Sequence, residues 1–163
     1  MTETNKTLLS AAVRAKIDAW LQRYPEEHKR SGVLEALRYV QEERGWLNEE
    51  WMDAVADYLG MPRIAVYEVA TFYSLYHLKP VGRHVISVCT NISCMLRGSE
   101  EVLAHLKKRL AVDVHGTTAD GKCTLKEVEC LGACVGAPML QIGKKYYENL
   151  TPEKIDAILA SLE

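Results

Sequence analysis

All five cysteines of this 163-residue chain fall between Cys89 and Cys134. Four of them form two tight pairs, Cys89-Thr-Asn-Ile-Ser-Cys94 and Cys130-Leu-Gly-Ala-Cys134. No other feature constrains the fold as sharply, because a long stretch of chain separates the pairs and both must meet at one place to act together. The β-branched run His84–Val88 reads as a buried strand just before the first pair. Thr124–Glu129 alternates as a strand would just before the second. Both pairs are therefore expected on loops at strand ends. A C-x4-C or a C-x3-C loop can turn back to place two thiolates on one metal atom, and two such loops side by side supply four. Soft sulfur ligands in that number select zinc or an iron–sulfur cluster. The neighbouring Thr90, Ser93, Gly132, Ala133, Gly136 and Ala137 are small or polar. Such residues let backbone N–H groups approach inorganic sulfide, and those hydrogen bonds tune a reduction potential. Arg97 lies close enough in sequence to offset part of a cluster's negative charge.

The spacing alone leaves two metal chemistries open, since structural zinc pairs are also separated by a few residues. Disulfides fit less well. The N-terminus, MTETNKTLLSAAVRAKIDAW, lacks the basic start, apolar stretch and small-residue cleavage site of a secretory signal. Glu3 and Asp18 argue against a transit peptide. A cytosolic start is expected, and in that reducing compartment paired cysteines point to metal or redox chemistry. The longest apolar runs, Ile64–Tyr67 and Ala157–Ala160, are four residues, against the roughly twenty that a membrane span needs. The formal charge of −2 is spread evenly along the chain, without the basic excess that a nucleic-acid phosphate backbone demands. With 48% hydrophobic and 26% charged residues, the chain has the means to build a globular core.

Two domains are expected, and the fold class is α+β. Residues 1–79 read as a helical bundle. Leu9, Val13, Ile17, Trp20 and Leu21 recur at helical spacing, as do Val33, Leu34, Leu37 and Val40 before Gly45. Asn48 caps a third helix, with Glu49 and Glu50 in its first turn, Met52, Val55 and Leu59 as its stripe, and Gly60 at its end. Pro62 opens a fourth segment whose Ile64, Tyr67, Val69, Phe72, Tyr73 and Tyr76 are expected to pack in the core and in an interface. Residues 80–163 change pattern after Lys79-Pro80-Val81-Gly82. The strand His84–Val88 precedes a helix expected to be capped by Ser99, with Val102, Leu103, Leu106 and Leu110 as its stripe. Met139–Ile142 and Tyr146–Glu148 suggest a hairpin through Gly143, and Thr151-Pro152 starts a last helix. That order fits a small α/β layer fold of the thioredoxin type.

Other motifs lead nowhere. Gly116-Thr-Thr-Ala-Asp-Gly-Lys-Cys123 nearly spells a phosphate loop, but a thiol replaces the hydroxyl that Mg²⁺ needs, Asp120 would repel phosphate, and a strand pattern follows instead of a helix. No G-x-G occurs, so a nucleotide site of the Rossmann kind has no support. The histidines (28, 77, 84, 105 and 115) are scattered, and Cys-x4-Cys is too long for a thiol oxidoreductase. Cys123 has no mate. It could be a fifth, exchangeable ligand or a small hydrophobe at a strand start; a strand rises about 3.3 Å per residue, which puts Cys123 roughly 20 Å or more from Cys130 and favours the packed reading.

From Lys29 to Leu162 the chain resembles the thioredoxin-like [2Fe–2S] subunits of NADH:quinone oxidoreductase, the E subunits of bacterial respiratory complex I. The residues that carry the resemblance are Gly45-Trp-Leu47, Val66-Tyr-Glu-Val-Ala-Thr-Phe-Tyr73, Leu78-Lys-Pro-Val-Gly82, Val88 to Gly98, Val128 to Cys134 and Tyr147-Glu-Asn-Leu-Thr151. The resemblance implies that Cys89, Cys94, Cys130 and Cys134 ligate one [2Fe–2S] cluster in a thioredoxin-like ferredoxin domain. It implies an electron-transfer subunit, inactive alone, paired 1:1 with a subunit that binds FMN and NADH. The assembly would lie on the cytoplasmic face of the inner membrane, with no span contributed by this chain. Similar subunits occur in NAD-linked hydrogenases and formate dehydrogenases, so the assembly stays open, and a redox-silent zinc module is the alternative from spacing. The chain departs from the family at Cys123, where an aromatic residue is usual, and at Gly136, where a polar one is common.

Overall fold

The computed structural model describes residues 8–162. Of the N-terminal stretch read above, residues 1–7, with Glu3, lie outside the described residues. A division after Pro80 separates two compact units.

In the first unit the helix boundaries follow from local chemistry. Helix α1 (Ala11–Leu21) begins where the Ser10 hydroxyl accepts the Val13 amide at 3.1 Å. A 3₁₀ segment, Glu26–Gly32, leads into α2 (Val33–Arg44), which stops at Gly45 with φ of 85°. Helix α3 (Glu49–Leu59) is capped by Asn48, whose side chain accepts the Trp51 amide at 2.9 Å, and ends at left-handed Gly60. Helix α4 (Arg63–Phe72) follows Pro62. Val13, Ile17, Leu37, Val40, Leu47, Met52, Val55 and Val66 form the core of this unit. The aromatic segment divides in a way that the periodicity does not foresee. Val66 and Ala70 are the buried residues of α4, whereas Ile64 and Phe72 are 64% and 80% exposed. Tyr76 is buried and donates its hydroxyl to the Leu34 carbonyl at 2.8 Å. The broad apolar surface is therefore part core and part open.

The second unit runs β1 (His84–Cys89), α5 (Ile92–Leu96), α6 (Ser99–Leu110), β2 (Cys123–Val128), a 3₁₀ turn at Cys134–Gly136, β3 (Leu140–Ile142), β4 (Lys145–Tyr147) and α7 (Pro152–Ser161). Together with the first unit this is an α+β fold. The sheet order is β2-β1-β3-β4. Strands β1 and β2 are parallel, from His84 opposite Cys123 to Cys89 opposite Val128. The crossover that parallel pairing requires is supplied by α5 and α6. Strand β3 runs antiparallel to both β1 and β4, the latter through the turn at Gly143, where φ is 58°. Ile86, Val88, Leu125 and Leu140 of the sheet pack with Leu106 of α6 and Ile155 of α7.

Two local details differ from expectation. Ser99 is the first residue of α6 and not its cap; Gly98, at φ of 90°, holds the cap position, and Ser99 is fully buried. Strand β2 begins at Cys123, one residue earlier than the alternation suggests. The phosphate-loop look-alike is a turn: Gly121 N–H donates to Thr118 O at 2.8 Å, Asp120 accepts the Lys122 amide at 3.0 Å, and the chain enters β2 directly. Among the described residues, no helix is long and apolar enough to cross a membrane.

Gly82 ties the start of the second unit to its sheet. It is buried, its N–H donates to Thr124 Oγ1 at 2.6 Å, and a Cβ there would stand 2.9 Å from backbone atoms of Lys122 and Cys123. Backbone on that side cannot swing away as a side chain does. Gly82→Ala is expected to destabilise the second unit by about 1–3 kcal/mol, read as a lower urea midpoint with an unchanged slope.

Candidate metal centre

Strand β1 carries its alternating apolar residues into the core and delivers Cys89, 3% exposed, at its carboxyl end. The chain then turns through Thr90 and Asn91. The Asn91 side chain accepts the Ile92 amide at 2.7 Å, starting the single-turn helix α5 that brings Cys94 back to the same place, 1% exposed. Because β2 is parallel to β1, its carboxyl end lies beside that of β1. Three contacts tie them: Thr90 N–H to Val128 O at 3.1 Å, Thr90 Oγ1 to Glu127 Oε1 at 2.8 Å, and the Cys89 thiol to Glu129 O at 3.6 Å. Cys130 is the next residue.

The second loop is the more open of the two, with Cys130 and Cys134 both exposed. Gly132, at φ of 77°, turns its N–H toward Cys130 Sγ at 3.4 Å. Cys134 opens the 3₁₀ turn, which Asn149 anchors by donating its N–H to Gly136 O at 2.6 Å. Gly136 is buried against Glu148, and a Cβ there would lie 2.6 Å from the Glu148 Cβ. The departure at Gly136 therefore has a packing reason. Cys89, Cys94, Ala137 and Met139 form a small buried cluster, with Leu131 and Ala133 against it.

The four paired cysteines thus gather at one end of the sheet. Burial pushes the Cys94 thiol up to about 11; its hydrogen bond with Cys89 and the charges of Cys89 and Cys134 add to the rise. Thiolates crowded in this way repel one another, and a bound cation must displace their protons to bind. No disulfide joins any of the five cysteines. Among the described residues, no three His, Cys, Asp or Glu side chains stand close enough to hold a single ion. The donor set fits an iron–sulfur group: four sulfurs on two loops, small neighbours, and the backbone N–H groups of Gly132 and Met139 already directed at Cys130 and Cys94. Cys123 does not join them. It pairs with His84 at the far end of β1 and is 4% exposed, and burial raises its thiol. Arg97 ends α5 with its side chain exposed.

Two ties at this end of the sheet have no signal in the sequence. One is the Thr90–Glu127 bond. The other joins the Tyr146 hydroxyl to Leu131 O at 2.7 Å, across fifteen residues of sequence. The alternation of β4 places Tyr146 on one face but says nothing of its target.

Comparison with known proteins identifies the family. The family model for the thioredoxin-like [2Fe-2S] ferredoxin matches residues 17–163. The E subunit of the NADH-quinone oxidoreductase of Rickettsia bellii (strain RML369-C) is 47% identical over 143 residues, covering 87% of this chain and 86% of that protein. The E 2 subunit of the NADH-quinone oxidoreductase of Rhizobium meliloti (strain 1021) is 46% identical over 149 residues, 91% of this chain and 88% of that one. Among solved structures, the air-oxidized NAD⁺-reducing [NiFe]-hydrogenase superposes with a TM-score of 0.70 over 80% of this chain at 22% identity, a likeness of fold. This chain spans 22% of that hydrogenase chain. The chain belongs to the thioredoxin-like [2Fe-2S] ferredoxin family, among the E subunits of NADH-quinone oxidoreductase.

Proposed function

We propose that Cys89, Cys94, Cys130 and Cys134 hold one [2Fe–2S] cluster, and that this chain exchanges electrons with the flavin of an NADH-binding partner subunit. The observation that carries the reading is the parallel β1–β2 pairing, which brings the two cysteine loops to one end of the sheet. When bound, the cluster supplies one-electron chemistry at a potential set by its surroundings. The chain's own residues bind and shield. The short loops favour Cys89 with Cys94 on one iron and Cys130 with Cys134 on the other. The buried first pair excludes water, and the exposed second pair lies where a partner can approach.

FMN and NADH are assigned to the partner, because no glycine-rich nucleotide loop occurs in this chain. The names of its relatives support a place in a multi-subunit NADH-quinone oxidoreductase, and the proposal puts the chain 1:1 beside that partner, on the cytoplasmic face of the membrane. The exposed run Phe72, Tyr73, Leu75 and Leu78 supports a docking role for the helical unit, since contiguous apolar surface of this kind marks interaction sites.

Anaerobically purified protein is expected to be red-brown and to contain about two irons and two acid-labile sulfides per chain. One zinc without sulfide would overturn the reading. Cys130→Ala should lose the cluster, whereas Cys123→Ala should keep iron content and the EPR spectrum while losing about 1–2 kcal/mol of stability. Co-expression with the flavoprotein should recover a 1:1 pair, and Phe72→Asp should weaken that pair about tenfold or more without changing the circular dichroism spectrum.

A further inference from the structure

The peptide unit between Leu131 and Gly132 is held from both sides. Its carbonyl, on Leu131, accepts the Tyr146 hydroxyl at 2.7 Å. Its N–H, on Gly132, points to Cys130 Sγ at 3.4 Å. A trans peptide is planar, with C=O and N–H directed oppositely, so a bond that fixes one group aims the other. Tyr146 stands on β4, where it pairs with Gln141 of β3, and β3 in turn pairs with β1. The phenol is thus anchored to the strand frame that also carries Cys89. Gly132 then turns the chain in the left-handed conformation, with φ of 77°.

We infer that Tyr146 is a positioning residue for the metal centre: through the Leu131–Gly132 peptide it aims and polarises the N–H donated to Cys130 and so sets the reduction potential. The inference rests on the assignment of Cys130 as a cluster ligand. Hydrogen bonds in a chain polarise one another, so a donor on the carbonyl strengthens the N–H on the other side of the same amide. An N–H directed at a ligand sulfur stabilises the reduced, more negative cluster and raises the potential. Without the phenol hydroxyl the carbonyl turns to water, the peptide gains freedom to rotate, and the N–H···S contact weakens.

The test compares the full chain, carrying its cluster, with Tyr146→Phe, which keeps the ring and removes only the hydroxyl. Tyr147→Phe on the same strand is the control. An EPR-monitored redox titration counts only loaded clusters, so partial iron loss does not obscure the midpoint. Tyr146→Phe is expected to shift the midpoint to a more negative value, and Tyr147→Phe to leave it unchanged. In protein labelled with ¹⁵N-glycine, pulsed EPR should find the Gly132 nitrogen coupling to the reduced cluster diminished in Tyr146→Phe. An unchanged midpoint and unchanged coupling in that variant would overturn the inference while leaving the cluster assignment intact. An unmodified chain without iron and sulfide would instead overturn the assignment on which it rests.

Discussion

Parallel pairing of β1 with β2 is the constraint on which the rest depends. Had these strands run antiparallel, Cys89 and Cys130 would leave opposite ends of the sheet, separated by the length of a strand. Six residues at about 3.3 Å each make that separation roughly 20 Å, far beyond any bridging group. With the observed register, Cys89 lies opposite Val128, and Cys130 follows two residues later. The cost of the arrangement is a long crossover, and that crossover carries part of the site: α5, its first element, returns Cys94 to Cys89. The same register explains Cys123. As the first residue of β2 opposite His84, it belongs to the other end of the sheet, and its burial is that of a packing residue.

The two pairs are unlike in environment. Cys89 and Cys94 are buried with Ala137 and Met139, and the raised Cys94 thiol records the energetic resistance to placing negative charge there. Cys130 and Cys134 are exposed on a loop held by Tyr146 at Leu131 and by Asn149 at Gly136. In the proposed function, the cationic core of an iron–sulfur group would offset part of the charge of the four thiolates. Exposed Ile92, Leu96 and Val135 on the two loops keep the surroundings of the site apolar up to the protein surface. In the proposed assembly, a partner covering them would remove water from the open side and shorten the distance an electron must cross.

Much of this was legible from residue order because the signals are local. The β-branched run before Cys89, the Asn48 and Thr151 caps, and the glycines ending α2 and α3 each act within a few residues. The gathering of the cysteines followed once two strands were placed before two loops. Where expectation failed, a nonlocal term decided. Ser99 has a capping side chain, yet Gly98 in a left-handed conformation turns the chain so that Ser99 faces the interior. Ile64 and Phe72 have the hydrophobicity of core residues, yet the smaller Val66 and Ala70 are the buried residues of their helix. Periodicity identifies an apolar stripe but cannot say which edge of a wide stripe meets neighbours and which is left open.

The least legible tie reaches from one edge of the sheet to the other. Strands β2 and β4 are the two edges of the sheet. Three strand spacings of about 4.8 Å put them roughly 14 Å apart. The Cys130–Cys134 loop leaves β2 at one edge, yet its Leu131 carbonyl receives the hydroxyl of Tyr146 from β4 at the other. Leu131 follows Val128 by three residues, which extend about 10 Å, and the phenol side chain covers the remainder. The bond therefore ties a loop that leaves the β2 edge to the β4 edge. A shorter β3–β4 hairpin or a smaller side chain at position 146 would leave the loop fixed mainly at its β2 end and at the Asn149–Gly136 bond. The position of the second cysteine pair is thus a property of all four strands together. That is why it is written in the strand order, and not in the C-x3-C spacing that first draws attention to it.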